Sequence, residues 1–246
     1  MRLLVTLPVL LAGCLDSPPA AIVVDPDGDG GAGSADGDTG GADAMPPLCA
    51  SDLTLDLRQE EDLDGWTREN GPDCTQAATE EGLEFMNFGS PSTCRAYADA
   101  VVRLVNGQRL RIRLVDHDPD LSMTFSVVVG SPEIPLADRR WLYFERDNGI
   151  LMFGECSPDI GGCSDTFWGS TPYVPGDHVW LSFQYQPGDG LIFLETSQDG
   201  NSFNLAAAPS DIAGTDVACV AIDLGSYELE DFGTPRRSAF GDLIFQ

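Results

Sequence analysis

The chain has 246 residues and a formal net charge of −27 at pH 7, with 40 acidic side chains against 13 basic ones. It contains no lysine, which excludes Schiff-base catalysis and a P-loop phosphate cradle, because both need a lysine amine. The negative field also disfavours nucleic acid as a partner, since that binding depends on neutralising phosphates with basic residues.

The first predicted element is a short export signal. Arg2 precedes an apolar run, residues 3–11, that is too short to cross a bilayer as a helix. The run ends in LAGC, residues 11–14, which resembles the bacterial lipobox. The resemblance implies that residues 1–13 are a signal peptide and that Cys14 becomes a lipidated N-terminus. Acyl chains would then anchor the protein to a membrane of the bacterial cell envelope, at the outer membrane or the cell surface. A secretory signal with a chance cysteine is the alternative.

Residues 14–47 are predicted to form a disordered tether behind this lipid anchor. They consist almost entirely of Asp, Gly, Ala, Ser and Pro, with too few large apolar side chains to offset the entropy of ordering. Repulsion among the aspartates extends such a segment. The alternative is an EF-hand-like calcium loop, in which Asp25, Asp27, Asp29 and Asp36 would supply carboxylate ligands and Gly30 the sharp turn. No amphipathic helix flanks these residues, so a tether is the favoured interpretation.

The remaining residues, 48–246, are predicted to form one all-β domain. Apolar and polar residues alternate in GLEFMNF, RLRIRLVD, LSMTFSVVV, RRWLYFER, VWLSFQY and LIFLETS, a period typical of strands. Turn sequences such as Asn106-Gly107 and Asp199-Gly200 separate these segments. The pattern predicts an antiparallel β-sandwich with about a dozen strands in two packed sheets.

Six cysteines follow Cys14, and their even number in an exported chain predicts disulfide bonds. No CxxC pair is present to suggest zinc. Six cysteines allow fifteen connectivities, but two pairs bracket apparent turns or hairpins. The predicted bonds are Cys156 with Cys163, Cys74 with Cys94, and, from the cysteines left over, Cys49 with Cys219.

Three segments of the domain carry a resemblance to a known family. LDGWTRENG, WLSFQYQPGDGLIFLETSQDGNSF and SAFGDLIFQ resemble the concanavalin A-like lectin and glucanase sandwich, a jelly roll that laminin G-like modules share. The resemblance lies in turns and alternation and includes no active-site signature, so it implies the fold more than the function. The expected function is binding of a glycan or glycoprotein without catalysis.

Two groups of residues are candidates for ligand binding. Trp168 lies with Tyr173 in a polar stretch where an aromatic face could stack on sugar C–H groups. The favoured alternative is that both fold back over the sandwich edge. Arg109, Arg111 and Arg113 alternate with apolar residues and could hold uronates. The favoured alternative there is a set of cross-strand ion pairs with acids such as Glu195. Other tryptophans (Trp66, Trp141 and Trp180) are predicted to be core or semi-buried.

Metal binding and catalysis have weaker support in the sequence. Asp116, Asp118 and Asp120 are candidate calcium ligands, because laminin G-like sandwiches can hold calcium in rim loops, and an ordinary acidic turn is the alternative. No other cofactor is expected. His117 and His178 are the sole histidines and have no partner spacing typical of a histidine-rich metal site or a Ser-His-Asp triad.

The nearest match to the alternating acids of glucanases is ELED, residues 228–231, which departs from that pattern. We therefore predict no catalytic residue. Two alternatives to a glycan-binding lipoprotein remain: a glucanase-type hydrolase, and a structural envelope component without a small-molecule site.

Overall fold

The computed structural model describes residues 49, 53–104, 107–159, 162–207, 210–213, 215, 217, 219–228 and 233–246. For residues 100, 158–159 and 162–167 the description covers the backbone alone. The signal peptide, Cys14, the tether and its EF-hand-like spacing all lie outside the described residues and stay predictions. Within the described part, no helix combines the length and apolar character needed to span a membrane.

Strands dominate the described residues, as the period-two alternation predicts. In chain order they are β1 (Leu53–Asp56), β2 (Thr67–Asn70), β3 (Cys74–Thr79), β4 (Gly82–Asn87), β5 (Ser92–Val102), β6 (Arg109–Val115), β7 (Ser122–Val129), β8 (Arg140–Asp147), β9 (Ile150–Asp159), β10 (Gly162–Pro172), β11 (Trp180–Gln186), β12 (Leu191–Ser197), β13 (Asn204–Leu205), β14 (Ser210–Asp211), β15 (Val220–Glu228) and β16 (Arg236–Phe245). Two short 3₁₀ turns cover Glu60–Leu63 and Leu136–Asp138.

The strands form two antiparallel sheets, which confirms the predicted β-sandwich. Sheet A has the order β10-β9-β8-β7-β15-β5-β2. Sheet B has the order β13-β12-β11-β6-β16-β4-β3, with β1 paired to β16 and β14 to β12. Some neighbours are consecutive strands, such as β7 to β10, but β15 lies between β7 and β5, and β16 lies between β6 and β4, so strand order decides which outward-facing side chains meet.

The core lies between the two sheets and is built from the inward half of each alternating strand. Its centre is an aromatic cluster in which Phe125 and Phe144 from sheet A meet Phe183 from sheet B, with ring centroids 5.0 Å and 5.1 Å from Phe183. All three side chains are buried, and edge-to-face rings at this spacing add to the stabilisation from burial. Trp66, Trp141 and Trp180 are half-buried, as predicted.

A charged side chain, that of Arg146, also points into the sandwich. Arg146 of β8 follows the inward positions of Leu142 and Phe144 and is buried. Its guanidinium donates to the Asp116 carboxylate at 2.5 Å and to the Ser238 hydroxyl at 3.0 Å. It also donates to the backbone carbonyls of Leu121 and Asp118. Arg146 therefore links sheet A to the turn after β6 and to β16 of sheet B.

Two predicted disulfides are confirmed. Cys49 is bonded to Cys219, with 5.6 Å between Cα atoms, and Cys74 is bonded to Cys94, with 5.8 Å. The second bond joins β3 of sheet B to β5 of sheet A. Cys156 is also disulfide-bonded, but the side chain of Cys163 lies outside the described part, so that pairing stays a prediction.

Candidate functional site

The predicted aromatic and arginine candidates lie on different elements, with Trp168 on sheet A, Tyr173 just after β10 and the arginines on sheet B. Trp168 lies on β10 of sheet A, at a bulge in the pairing with β9, and packs half-buried against the core. Tyr173 is 8% exposed, and its ring packs 5.3 Å from the Arg146 guanidinium. Burial raises the pKa of Tyr173 to about 12. Tyr173 therefore presents no open face for a sugar, and no contact joins either aromatic residue to the arginines of β6 among the described contacts.

The three arginines of β6 are engaged by neighbouring groups. Arg109 pairs with Glu195 at 2.8 Å across two strands, as the ion-pair alternative predicts. Arg113 pairs with Asp242 at 3.0 Å. Arg111 donates to the carbonyl of Gly200 and lies over the Trp180 ring. The arginines of β6 therefore contact neighbouring groups of the same protein, as the ion-pair alternative predicts, and uronate binding by them stays a prediction.

The candidate calcium ligands form a turn held by arginines. The Asp116 carboxylate accepts the buried Arg146. The Asp118 carboxylate accepts the backbone N–H of Asp120 at 3.2 Å, and the carbonyl of Asp120 accepts from Arg236 at 3.3 Å. This geometry matches the alternative of an ordinary acidic turn. Calcium binding by these residues stays a prediction.

A different set of side chains comes together on the outer face of sheet A. Because Leu142, Phe144 and Arg146 of β8 point into the sandwich, Trp141, Tyr143 and Glu145 point away from it. The strand register places partners beside them in three rows across the sheet. The rows are Tyr97-Asp223-Ser126-Tyr143-Gly154, Arg95-Gly225-Thr124-Glu145-Met152 and Ala221-Val128-Trp141-Cys156. We call these side chains the sheet A face.

Arg95 organises the aromatic part of the sheet A face. Its guanidinium carbon lies 4.6 Å from the Tyr97 ring centroid and 4.7 Å from that of Trp141. The guanidinium also pairs with the Asp223 carboxylate. The Trp141 indole N–H donates to the carbonyl of Leu136 at 3.2 Å. These contacts hold both rings in defined orientations by cation–π attraction and hydrogen bonding.

Small residues at the centre of the sheet A face are covered by larger neighbours. Asp223 is 5% exposed and Ser126 is 4% exposed, although both point away from the core, and Val128 and Ala221 are fully buried. The larger side chains of Arg95 and Trp141 are half-buried. Arg95 and the aromatic rings therefore form the part of this face that remains accessible to a ligand.

Carboxylates occupy one end of the sheet A face. The Tyr227 hydroxyl donates to the Glu145 carboxylate, and burial together with that carboxylate raises the pKa of Tyr227. Asp147 lies two residues beyond Glu145 on the same face of β8, about 7 Å further along the strand. Its carboxylate accepts the Ser122 hydroxyl at 2.5 Å.

The acidic motif singled out in the sequence does not contribute to this face. Glu228 follows the inward positions Ile222 and Leu224 of β15 and is 7% exposed. Its carboxylate lies 3.6 Å from Arg236 of sheet B. Burial raises the pKa of Glu228 to about 7. Residues 229–231 lie outside the described residues.

Replacing Asp223 with asparagine is expected to change how stability depends on pH. Burial raises the pKa of Asp223 to about 6, so the folded protein retains this proton at a pH where the unfolded chain has lost it. This group therefore stabilises the fold most below about pH 4, and its contribution is lost as the pH rises towards 6. Urea unfolding from pH 4 to 7 should show a steeper decline for the wild type than for Asp223→Asn. Asp189→Asn, at an exposed turn, should match the wild type. If the free energy of unfolding declined equally with pH in Asp223→Asn and in the wild type, the raised pKa of Asp223 would be contradicted.

Comparison with known proteins places the fold in one structural class. No protein-family model matches the sequence, and no curated protein is significantly similar to it. A solved structure of the Crh5 transglycosylase in complex with NAG matches 81% of this chain and 85% of its own, with 13% identity and a TM-score of 0.54. A prokaryotic β-1,3-1,4-glucanase from a mouse hindgut metagenome matches 80% and 99%, with 11% identity and a TM-score of 0.53.

A legume lectin-like domain from Entamoeba histolytica matches 79% of this chain and 96% of its own, with 10% identity and a TM-score of 0.52. The fold is therefore that of the concanavalin A-like lectin and glucanase jelly rolls, as the sequence resemblance implied. At these identities the likeness describes the fold alone.

Proposed function

We propose that the protein is a lipoprotein whose sandwich binds a glycan, or the glycan of a glycoprotein, on the sheet A face without cleaving it. The observation that carries the proposal is that Tyr97, Trp141 and Tyr143 share one sheet face with the paired Arg95 and Asp223. Sugar recognition needs aromatic surface to stack on C–H groups and a few fixed polar groups for orientation. This face supplies both on the backbone of adjacent strands.

The contacts within the face favour binding because they hold the side chains in place before a ligand arrives. Arg95 lies against two rings and one carboxylate, so little side-chain entropy remains to be lost on association. The transglycosylase, glucanase and lectin-like proteins that share the fold are all named for glycan chemistry. That likeness supports the proposal and does not identify the sugar.

Hydrolysis is a second candidate function, favoured by one observation. Glu145 and Asp147 alternate on β8 and share one face, and two-carboxylate glycosidases need such a pair. Binding is preferred because Tyr227 and Ser122 already engage these carboxylates. The preceding outward positions of the strand are also aromatic, Trp141 and Tyr143, instead of acidic.

Replacing Trp141 with alanine is expected to weaken glycan binding roughly 5-fold to 150-fold, because loss of one stacking ring removes about 1–3 kcal/mol. A glycan array identifies a ligand for the purified protein, and titration calorimetry then measures its affinity. Trp180→Ala is the matched control, since Trp180 is equally half-buried but lies on sheet B. The control should bind like the wild type.

Three outcomes would contradict this assignment. Absence of binding to any glycan would favour a structural envelope role. If Trp168→Ala lost binding and Trp141→Ala did not, the glycan site would be assigned to β10 instead. Release of new reducing ends, abolished by Glu145→Gln, would show hydrolysis instead of simple binding.

The lipid anchor in this proposal rests on residues 11–14 and the composition of residues 14–47. An acyl chain on Cys14 would attach the protein to a membrane of the bacterial envelope. The tether would reach the folded domain at Cys49, which the disulfide to Cys219 secures at the start of β15.

A further inference from the structure

A cluster of three metal-ligating side chains lies away from the sheet A face. The imidazole of His117 and the carboxylates of Glu81 and Glu84 place one donor atom each within 4.8 Å of one another. Among the described residues no other group of three histidine, cysteine or acidic side chains meets this condition. The cluster shares no residue with the proposed glycan site, and it includes none of the candidate calcium ligands, although His117 lies between Asp116 and Asp118 in the sequence.

The three residues come from two separate parts of sheet B. Glu81 lies in the turn before β4, Glu84 lies within β4, and His117 follows β6 by two residues. Strands β4 and β6 both pair with β16, one on each side. Hydrogen-bonded strands thus bring together ligands that are more than 30 positions apart in the sequence.

The contacts already made by these groups leave room for a cation. The side chains of Glu84 and His117 are 13% and 21% exposed. His117 Nε2 contacts the Glu81 carboxylate, so the two groups already face each other. Glu84 pairs with Arg237 at 3.4 Å, but the Arg237 side chain is 55% exposed. An ion pair with one partner this exposed to water contributes little stabilisation. It would therefore not hold Glu84 away from a metal.

We propose that Glu81, Glu84 and His117 form a Zn²⁺ site. One imidazole with two carboxylates is a nitrogen and oxygen ligand set typical of zinc, whereas calcium and magnesium take oxygen ligands. Tetrahedral zinc places its donors about 3.4 Å apart, so small rotations at the ends of these side chains close the site. Water would complete the coordination. The net charge of −27 also favours cations near the surface.

Titration calorimetry with ZnCl₂ tests this site in the full-length protein, purified without a histidine tag and stripped with a chelator. Saturable binding at this site should weaken at least 10-fold in His117→Ala and in Glu84→Gln. Glu80→Gln is the matched control, because it removes an adjacent exposed carboxylate outside the cluster. That control should retain wild-type affinity. Circular dichroism and metal-free melting temperatures verify that each variant is folded.

Two results would overturn the proposal. The first is zinc affinity in folded His117→Ala equal to that of the wild type, which would assign any binding to other acids. The second is calcium binding as tight as zinc binding and lost in the same variants, since an imidazole ligand should discriminate between the two ions. Loss of zinc binding in Glu84→Gln but not in Glu80→Gln would support the site even if His117→Ala failed to fold.

Discussion

Replacing Arg146 with methionine is expected to lower the free energy of unfolding by about 3–5 kcal/mol, the cost typical of breaking a buried ion pair from one side. Arg146 is 1% exposed, and its partner Asp116 has a side chain only 10% exposed. The substitution would leave that carboxylate without its cation in a poorly hydrated position. The backbone carbonyls of Leu121 and Asp118 would also lose the hydrogen bonds that the Arg146 guanidinium donates to them.

Urea unfolding measures this effect, with Arg68→Met as control. Arg68 pairs with Glu60 at 2.5 Å, but the Glu60 side chain is 59% exposed, so that change should cost less than about 1 kcal/mol. Adding Asp116→Asn to Arg146→Met should recover part of the stability, because it removes the unpaired buried charge. A loss in Arg146→Met no larger than that in Arg68→Met would show that the guanidinium is not needed to join the sheets.

The second large effect is expected from removing the disulfide between Cys49 and Cys219. These residues are separated by 170 positions, and closing so long a loop in the unfolded chain stabilises the fold by about 5 kcal/mol in the chain-entropy treatment. Substituting both cysteines with serine should lower the free energy of unfolding by that order. The reason lies in the unfolded state, which gains freedom when the bond is absent.

The bond between Cys74 and Cys94 provides the internal comparison. Its separation is 20 positions, for which the same treatment gives about 3 kcal/mol. The two double-serine variants should be unfolded under identical conditions. The variant that lacks the Cys49–Cys219 bond should then have the lower free energy of unfolding. The reverse ranking would mean that local packing, and not loop length, dominates the contribution of these bonds.

The arginines of β6 illustrate how far sequence reasoning extends. Their alternation with Leu110 and Ile112 correctly predicted an outward-facing row on a strand. The alternation could not decide between binding of anionic sugars and ion pairs within the protein, because the partners Glu195 and Asp242 lie on other strands. The register of sheet B brings those carboxylates within hydrogen-bond distance, which shows the ion pairs in the folded chain and leaves anion binding by these arginines a prediction.

The sheet A face was not anticipated, although one signal for it was present. In RRWLYFERD the outward positions are Trp141, Tyr143 and Glu145, an arrangement suited to a binding surface. Trp141 was expected to be semi-buried, which is correct, but semi-burial is compatible with either a core edge or a binding surface. The decisive neighbours, Arg95 and Asp223, lie on β5 and β15 and give no local pattern that connects them to β8.

Period-two alternation, turn residues and cysteine positions were enough to predict the class of fold and two of the disulfides, because these signals act locally or through simple pairing. Which outward side chains share a surface followed from the folded arrangement of the strands. Arg95, Trp141 and Asp223 span more than 120 positions, and so their contact depends on the strand order of sheet A. The cluster of Glu81, Glu84 and His117 depends in the same way on sheet B. Long-range strand pairing is set by burial of the whole core, which no short segment encodes.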